Sequence, residues 1–324
     1  MFDVITFGSA TQDVFLRSKA LELHKEHGVV EACFPFGAKI DVEEMFVESG
    51  GGGTNNAVTF ARMARMKTAV VTSVGADAVG EEIARIMKRE NVASDFIQST
   101  NKEKTGYSAI ILSGVAERTI LTHRGASSLL DPGKIPWNKI QAKFFHLSGL
   151  AGNFELLEHI ISRAEKTKTK VFMNPGGGEL RAGLAKTMKY FSRLDLLIMN
   201  REETATLTGL SAKNLRGLVK AVRKICPLSV ITDGKAGAYA VTAAEVTHAA
   251  IVPAKRINLT GAGDAFGSAF AAGIMKNNDI RTALALGTLN ATSVVQKMGA
   301  KVGILKSWPS VREIKEVKIK KINF

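Results

Sequence analysis

Short runs of apolar, often β-branched residues alternate with longer stretches of helical periodicity along most of this 324-residue chain. Strands that are apolar throughout are typical of a sheet that is buried on both faces. The strand–helix–strand rhythm therefore predicts βαβ units, a mostly parallel sheet and helices on both of its sides. The strand-like runs are Val4–Phe7, Ala69–Val74, Phe144–Leu147, Lys170–Met173, Leu196–Met199 and Leu228–Thr232, and the helix-like stretches are Asn55–Met66, Gly80–Arg89, Glu155–Glu165, Ala182–Phe191, Glu202–Thr208 and Asn214–Ile225.

Two regions interrupt this rhythm and predict a small second β-sheet. They comprise extended segments at Val14–Ser18 and Gly37–Glu48 and a hairpin-like pair of runs at Tyr107–Leu112 and Thr119–His123. Separate segments that converge in this way often form a lid over a site. We therefore expect one α/β domain over residues 1–324, with a lid formed by the segments around 14–48 and 105–124 inserted in its core.

Composition and charge narrow the class of protein. The chain is 45% hydrophobic and 23% charged, and no apolar run approaches the roughly 18 residues that a membrane span needs. The two cysteines, Cys33 and Cys226, are far apart and have no metal-ligand spacing. These features predict a cytoplasmic protein without a membrane partner.

The formal net charge of +14 favours anionic ligands such as nucleotides and phosphorylated metabolites. Lysine and arginine residues are spread over the whole chain, and no zinc-finger, RRM or aromatic-basic pattern accompanies them. We therefore expect no nucleic-acid partner.

The segment Asn258–Phe266 carries the strongest chemical signal. Gly261 and Gly263 permit a tight turn, and a small apolar run follows that has the character of a helix. A helix that begins there would direct its free first-turn N–H groups and its positive dipole end at an anion such as phosphate. Asp264 is then either a group that handles a proton during transfer of that anion or an N-capping residue after a glycine turn.

A second glycine-rich segment, Ser49–Ala57, precedes a helix. It is not a Walker P-loop, because no Lys–Ser or Lys–Thr pair follows the glycines. Nor does it fit the G-x-G-x-x-G dinucleotide pattern, since Asn55 stands at the third glycine position. Four consecutive glycines still let the backbone approach a ligand closely.

Taken together, the motifs resemble the PfkB, or ribokinase-like, family of carbohydrate and nucleoside kinases. The resemblance covers most of the chain and implies a three-layer α/β/α fold with a mostly parallel central sheet and a small β-sheet lid. The matching pieces are Gly8 to Asp13, the four-glycine loop with Asn55, Gly75-x-Asp77-x-x-Gly80, Asn200-x-x-Glu203, Thr232–Gly237, Gly261–Asp264 and Gly299–Ala300.

The resemblance also implies roles for individual residues. Asp264 corresponds to the base that accepts the proton of the attacking hydroxyl, next to an anion hole of Gly261, Ala262 and Gly263. Asp13 and Asn55 correspond to positions that bind substrate hydroxyls, and Gly51 and Gly52 allow the substrate to approach closely. The implied reaction is the ATP-dependent phosphorylation of a hydroxymethyl group.

On the donor side, the resemblance implies that ATP and Mg²⁺ are bound. Asn200 and Glu203 correspond to the motif that organises Mg²⁺ indirectly, through water, although the same spacing fits a helix capping box. The positions that line the nucleotide are Thr232, Gly234 and Gly237, while Asn290 lies either on the adenine side or on the surface of its helix.

Departures from the family pattern leave the acceptor open. Asn258 replaces an Asp that helps to hold a monovalent cation, so activation by potassium is in doubt. Gly52 and the His146–Gly149 segment replace residues of the ribose pocket, so a sugar, an adenosine-type nucleoside and a non-catalytic sugar- or nucleotide-binding role remain alternatives. A homodimer through the lid is plausible, because a small sheet with one apolar face needs cover.

Overall fold

The computed structural model describes residues 1–26, 29–112, 118–276 and 279–323. Its strands are β1 (Phe2–Phe7), β2 (Thr11–Arg17), β3 (Glu22–Glu26), β4 (Val29–Cys33), β5 (Glu44–Gly50), β6 (Thr68–Gly75), β7 (Val92–Thr100), β8 (Gly106–Leu112), β9 (Arg118–His123), β10 (Ala142–Leu147), β11 (Lys170–Met173), β12 (Leu196–Asn200), β13 (Leu228–Thr232), β14 (Ala238–Thr242), β15 (Val246–Ala249) and β16 (Ile319–Ile322).

The α-helices are α1 (Gly52–Val58), α2 (Ala78–Arg89), α3 (Phe154–Thr167), α4 (Gly177–Arg181), α5 (Gly183–Phe191), α6 (Arg201–Thr208), α7 (Leu215–Val222), α8 (Ala262–Met275), α9 (Ile280–Val295) and α10 (Val311–Glu316). A π-helical turn, Thr59–Met63, extends α1. All six predicted strands are present, as β1, β6, β10, β11, β12 and β13.

The main sheet has the order β16-β15-β14-β13-β12-β11-β10-β1-β6-β7. Its strands from β13 to β7 are parallel, and β14 to β16 are added antiparallel at one edge. Every residue of β6 is buried, as expected for a parallel strand covered on both faces. One hydrophobic cluster packs α3, α5 and α7 against one face, and a second packs α8 and α9 against the other.

A separate four-stranded sheet, with the order β5-β2-β8-β9, comes from the predicted lid segments, and we call it the lid sheet. Its β8 and β9 pair antiparallel, as the alternating pattern predicted. The parts of the lid segments at residues 27–28 and 113–117 lie outside the described residues. The predicted α/β fold with a large mostly parallel sheet and a smaller second sheet is therefore confirmed.

Several element boundaries differ from the predictions. The helix expected over Asn55–Met66 instead begins at Gly52 and ends in the π-helical turn, because Gly51 turns the chain with a φ of 91° and makes the glycine run the start of the helix. Only the end of the extended segment Gly37–Glu48 forms a strand, in β5. The segment Lys19–Pro35, which carries no clear pattern, contains the β3–β4 pair.

Candidate active site

The Asn258–Phe266 segment forms a tight turn that leads into α8. Gly261 is the N-cap of α8 and has a φ of 80°, in the left-handed region that favours glycine. A Cβ at Gly261 would lie 2.5 Å from the Ala300 Cβ, so the chain there has room for glycine alone. The turn and the loop around Ala300 are thus packed directly on each other.

Asp264 lies in the first turn of α8, and the N-capping interpretation is wrong because Gly261 holds that position. The Asn55 Nδ2 donates to the Asp264 Oδ2 at 2.8 Å, which joins two motifs that are 209 residues apart in sequence. Burial raises the pKa of Asp264 above its usual value and the Asp13 charge adds to the rise, while the Asn55 hydrogen bond and the Lys301 charge oppose it. A carboxylate with a raised pKa is a better proton acceptor than an exposed one.

The backbone N–H groups of the turn differ in availability. The N–H of Ala262 donates to the Leu259 carbonyl at 3.3 Å, whereas the N–H groups of Gly261 and Gly263 have no acceptor within the described part of the chain. Two free amides at a helix N-terminus are suited to binding an anion, and the Ala262 amide could join them by giving up a long hydrogen bond.

The start of α1 brings the glycine loop against this turn. The Gly53 N–H donates to the Ser9 carbonyl at 3.0 Å, and a Cβ at Gly51 would lie 2.4 Å from the same oxygen. A Cβ at Gly52 would lie 3.3 Å from the Asp264 Oδ1 and 2.7 Å from the Ser148 Oγ. Gly52 therefore has no room for a side chain between Ser148 and the Asp264 carboxylate.

Asp13 enters the site from the lid sheet. It lies on β2, is 6% exposed and accepts a hydrogen bond from the Thr11 Oγ1 at 2.9 Å. Its carboxylate faces Gly50, where a Cβ would lie 2.0 Å from the Asp13 Oδ2. The Asp13 charge acts on Asp264, to which Asn55 donates a hydrogen bond, so the structure brings these three residues together.

One charged residue of this site was missed from the sequence. The Lys301 Nζ donates to the Asn55 Oδ1 and to the Ser49 carbonyl, both at 2.6 Å, and the side chain is buried. Burial lowers the pKa of Lys301 to about 8 against the attraction of the carboxylates around it. Its only sequence signal is its place directly after Gly299–Ala300, which does not show what the side chain contacts.

Asn200 and Glu203 form the predicted capping box at the start of α6. The Glu203 N–H donates to the Asn200 Oδ1 and the Asn200 N–H donates to the Glu203 Oε2, both at 2.8 Å. Burial raises the pKa of Glu203 and the Asp264 charge raises it further, while hydrogen bonds from Asn200 and Asn174 lower it. Glu203 is thus a partly buried carboxylate that the Asp264 charge acts on and that accepts hydrogen bonds from Asn174 and Asn200.

This donor set fits Mg²⁺, which favours carboxylate oxygen and keeps several of its waters. The Asn200 Oδ1 is committed to the helix cap, so Glu203 offers the stronger ligand of the pair. Across the described residues, no group of three or more His, Cys, Asp or Glu side chains could hold a metal ion by itself.

A cavity of about 420 Å³ adjoins the turn at the start of α8. Asn200 and Thr232 are paired neighbours at the carboxyl ends of β12 and β13, where ligands bind in parallel sheets. The predicted residues that line the cavity are Asn200, Thr232, Gly234 and Gly237, together with Ala262 and Gly263 of the turn. The lining residues that were not predicted include Lys235, Arg256 and Phe266.

Asn290, which was predicted on the adenine side, does not line this cavity. Its Nδ2 donates to the Ala265 carbonyl at 2.9 Å, and its Oδ1 accepts from the Leu305 N–H at 3.0 Å. Thr288, Ala291 and Thr292 share the face of α9 that meets the cavity, and a residue two positions after Thr288 points away from that face. Asn290 therefore holds α8, α9 and the following loop together.

Asn258 is buried in the turn, and its amide is poorly suited to a cation. Its Oδ1 accepts from the Thr260 N–H at 3.0 Å, and its Nδ2 is buried without a partner in the described structure. An NH₂ group is a donor and carries no negative charge, so it does not attract a metal ion.

Comparison with known proteins identifies relatives over nearly the whole chain. The family model for pfkB family carbohydrate kinases matches residues 1–307. Ribokinase from Staphylococcus aureus is 27% identical over 97% of this chain and 99% of its own length. The resemblance found in the sequence is thereby confirmed.

Solved structures agree with this result at the level of the fold. Ribokinase from Arabidopsis thaliana, complexed with ribose and ATP, has a TM-score of 0.77 and 22% identity and covers 97% of this chain and 98% of its own. Adenosine kinase from Sinorhizobium meliloti has a TM-score of 0.77 and 19% identity with the same coverage. No helix within the described ranges is long and apolar enough to span a bilayer.

Proposed function

Since the chain belongs to the pfkB family of carbohydrate kinases and is thus a sugar or nucleoside kinase, we propose that it uses ATP to phosphorylate a hydroxymethyl group of a sugar or sugar-like acceptor. In this proposal Asp264 is the base, the amides of Gly261 to Gly263 form the anion hole, and Asp13 and Asn55 bind the acceptor. ATP occupies the cavity lined by Asn200, Thr232, Gly234 and Gly237.

The observation that carries the proposal is the 2.8 Å hydrogen bond between the Asn55 Nδ2 and the Asp264 Oδ2. It sets an acceptor-binding amide beside a carboxylate at the N-terminus of α8, where the donor cavity also ends. A substrate hydroxyl bound by Asn55 and Asp13 would lie next to the proposed base, Asp264, and close to the turn formed by Gly261 to Gly263.

In the reaction, the acceptor oxygen forms a bond to the γ-phosphorus of ATP and the bond from that phosphorus to the bridging oxygen breaks. The hydroxyl proton passes to the Asp264 carboxylate, and ADP leaves. Charge on the transferred group is stabilised by the free N–H groups of Gly261 and Gly263 and by the α8 dipole. Positioning matters more than basicity in such a loose transition state.

Mg²⁺ would be held near Glu203 and Asn200, partly through water, and would neutralise charge on the phosphates. Glu203 fits this role because burial and the Asp264 charge both disfavour its ionised form, and a bound cation would offset both. Its capping bonds to Asn200 fix the carboxylate in place.

The test is a coupled assay of ADP release with Mg-ATP across a panel of pentoses, hexoses and nucleosides. Asp264→Asn should lower kcat for the best acceptor by about a thousandfold, the range expected of a lost general base. Asp95→Asn, a change at an exposed carboxylate on β7, is the matched control and should be without effect. Full activity of Asp264→Asn would refute the assignment of the base.

The panel also separates a sugar from a nucleoside acceptor. Four phenylalanines of the lid segments could stack on a base and would favour a nucleoside, namely Phe15, Phe34, Phe36 and Phe46. Phe15 is fully buried with Ile110 and Leu112, whereas Phe34, Phe36 and Phe46 are exposed, so the panel decides between the two acceptors. Binding of sugar or nucleotide without any ADP release would instead support a non-catalytic role.

The outer face of the lid sheet favours a homodimer. By strand register, Met45, Val47 and Leu121 share the face opposite to Asp13, and they are 65%, 49% and 62% exposed. A contiguous apolar sheet face of this kind needs cover, which a second copy would supply. Val47→Glu should shift the solution mass measured by light scattering to that of the monomer.

A further inference from the structure

Carboxylates accumulate on the acceptor side of the site. Asp13 on β2 lies directly across from Glu48 on β5, and Asp264 interacts with Asp13 through its charge. Like charges opposite each other on adjacent strands destabilise a sheet. This half of the site therefore requires a positive charge within it.

Lys301 supplies that charge from the loop after α9. Its side chain is 4% exposed and is attracted by Asp13, Asp264, Glu48 and, from beyond α2, Glu90. Its ammonium donates to two neutral acceptors, the Ser49 carbonyl and the Asn55 Oδ1, at 2.6 Å each. Neither acceptor is charged, so these two hydrogen bonds are not ion pairs. Their effect is to fix the positions of the Ser49 carbonyl and the Asn55 side chain.

The selection matters at Asn55, whose side-chain amide has nearly the same shape in its two orientations. An ammonium can only donate, and a carboxylate can only accept. Lys301 on one side and Asp264 on the other therefore allow a single orientation, with the Oδ1 facing Lys301 and the Nδ2 facing Asp264. Without Lys301, the amide is oriented by Asp264 alone, and it can turn its oxygen towards Asp264 once that carboxyl group is protonated and can donate.

The loop that carries Lys301 contacts each part of the acceptor site. A Cβ at Gly299 would lie 3.0 Å from the Glu48 Cγ, and Ala300 packs on the Gly261 turn. The Arg62 guanidinium holds the loop by donating to the Lys301 carbonyl at 2.6 Å, and it pairs with Glu90. These contacts hold the loop in place, and from it the Lys301 side chain reaches Asn55 and strand β5 of the lid sheet.

We propose that Lys301 is a positioning residue for phosphoryl transfer, which locks the Asn55 amide in the orientation that donates to Asp264 and ties that orientation to the lid through Ser49. The proposal rests on the proposed function, since it assigns Lys301 a task in the same reaction. The locked amide favours the ionised form of Asp264, the form that accepts the proton. Lys301 itself does not touch the reacting atoms.

The test compares Lys301→Met and Lys301→Gln, which have side chains of similar shape and differ in the ability to donate a hydrogen bond. Loss of a charge-assisted hydrogen bond predicts that Lys301→Met lowers kcat by about tenfold to a hundredfold, with KM for ATP nearly unchanged. The acid limb of its kcat–pH profile should move to higher pH, because a flipped amide disfavours the Asp264 carboxylate. Lys301→Gln should recover part of both losses. The matched control is Lys297→Met, a change at an exposed lysine of the same loop.

A second measurement needs no activity. The side-chain amide ¹⁵N resonance of Asn55, assigned by its loss in Asn55→Asp, should follow the titration of Asp264 in the wild type and not in Lys301→Met. Equal behaviour of the Met and Gln variants, an acid limb that does not move, or an amide resonance unaffected by Lys301→Met would each overturn the proposal. A wild type without ADP release but with the expected amide titration would refute the kinase function and leave the amide lock intact.

Discussion

The two halves of the site that we propose to bind the phosphoryl donor and the acceptor are built in different ways. On the donor side, glycine backbone, the free amides of the α8 turn and the ends of two parallel strands surround an open cavity. On the acceptor side, buried side chains from the lid, α1, α8 and the loop after α9 form one network of charges around Lys301. A backbone-built half can serve one constant ligand, whereas a side-chain network can be altered residue by residue to suit another acceptor.

The first test of whether the two halves act separately is to remove one group from each of them. Asp13→Ala should raise KM for the acceptor by about a hundredfold, because a buried carboxylate that pairs with substrate hydroxyls is lost. Thr232→Val removes only a hydroxyl from the donor cavity and should raise KM for ATP by less than about tenfold. Steady-state kinetics with each substrate varied in turn measures both effects. Equal changes in both KM values for either variant would mean that the halves are not separate.

The second test addresses the backbone of the donor half. Gly261→Ala forces an alanine into a φ of 80° and against Ala300, and it should destabilise the protein by about 2 kcal/mol and lower kcat at least tenfold. Gly263→Ala is its control, since a Cβ there meets nothing within 4 Å. Chemical denaturation of both variants gives the difference, and a Gly263→Ala protein as unstable as Gly261→Ala would contradict the packing described for the turn.

The same contrast explains what the sequence could predict. Gly261, Gly51 and the Asn200–Glu203 box are local features, because a positive φ or a helix cap depends on a few neighbouring residues. Their order along the chain was enough to indicate the family and the fold. The central strands were equally predictable, since full burial leaves a continuous apolar run.

Features that depend on distant contacts were not predictable in this way. Lys301 meets an amide 246 residues away, and nothing in its local sequence distinguishes it from an exposed lysine. Asn290 is the reverse case, in which a structural residue was predicted to contact a ligand. Its side chain is buried and hydrogen bonds to α8 and to the loop after α9. In both cases the rotation of α9 about its axis and the path of the loop after it determine what the side chain contacts. No sequence motif specifies either of them.

The smallest expected effect concerns the charge buried in the acceptor half, and it appears in stability. Burial lowers the pKa of Lys301 from 10.5 to about 8, so between these two pH values the unfolded chain binds more protons than the folded protein. Stability from this group therefore rises with pH across that window and is lowest below it, where the buried amine must stay charged. In Lys301→Met the rise should be absent, whereas Thr232→Val should retain it because Lys301 is unchanged in that variant. Denaturation midpoints measured at pH 7.5, 9 and 10.5 test this difference.

A parallel pH dependence in the wild type and Lys301→Met would show that the acceptor half does not carry the energetic cost of a buried ammonium. The difference between the two halves would then be one of geometry alone.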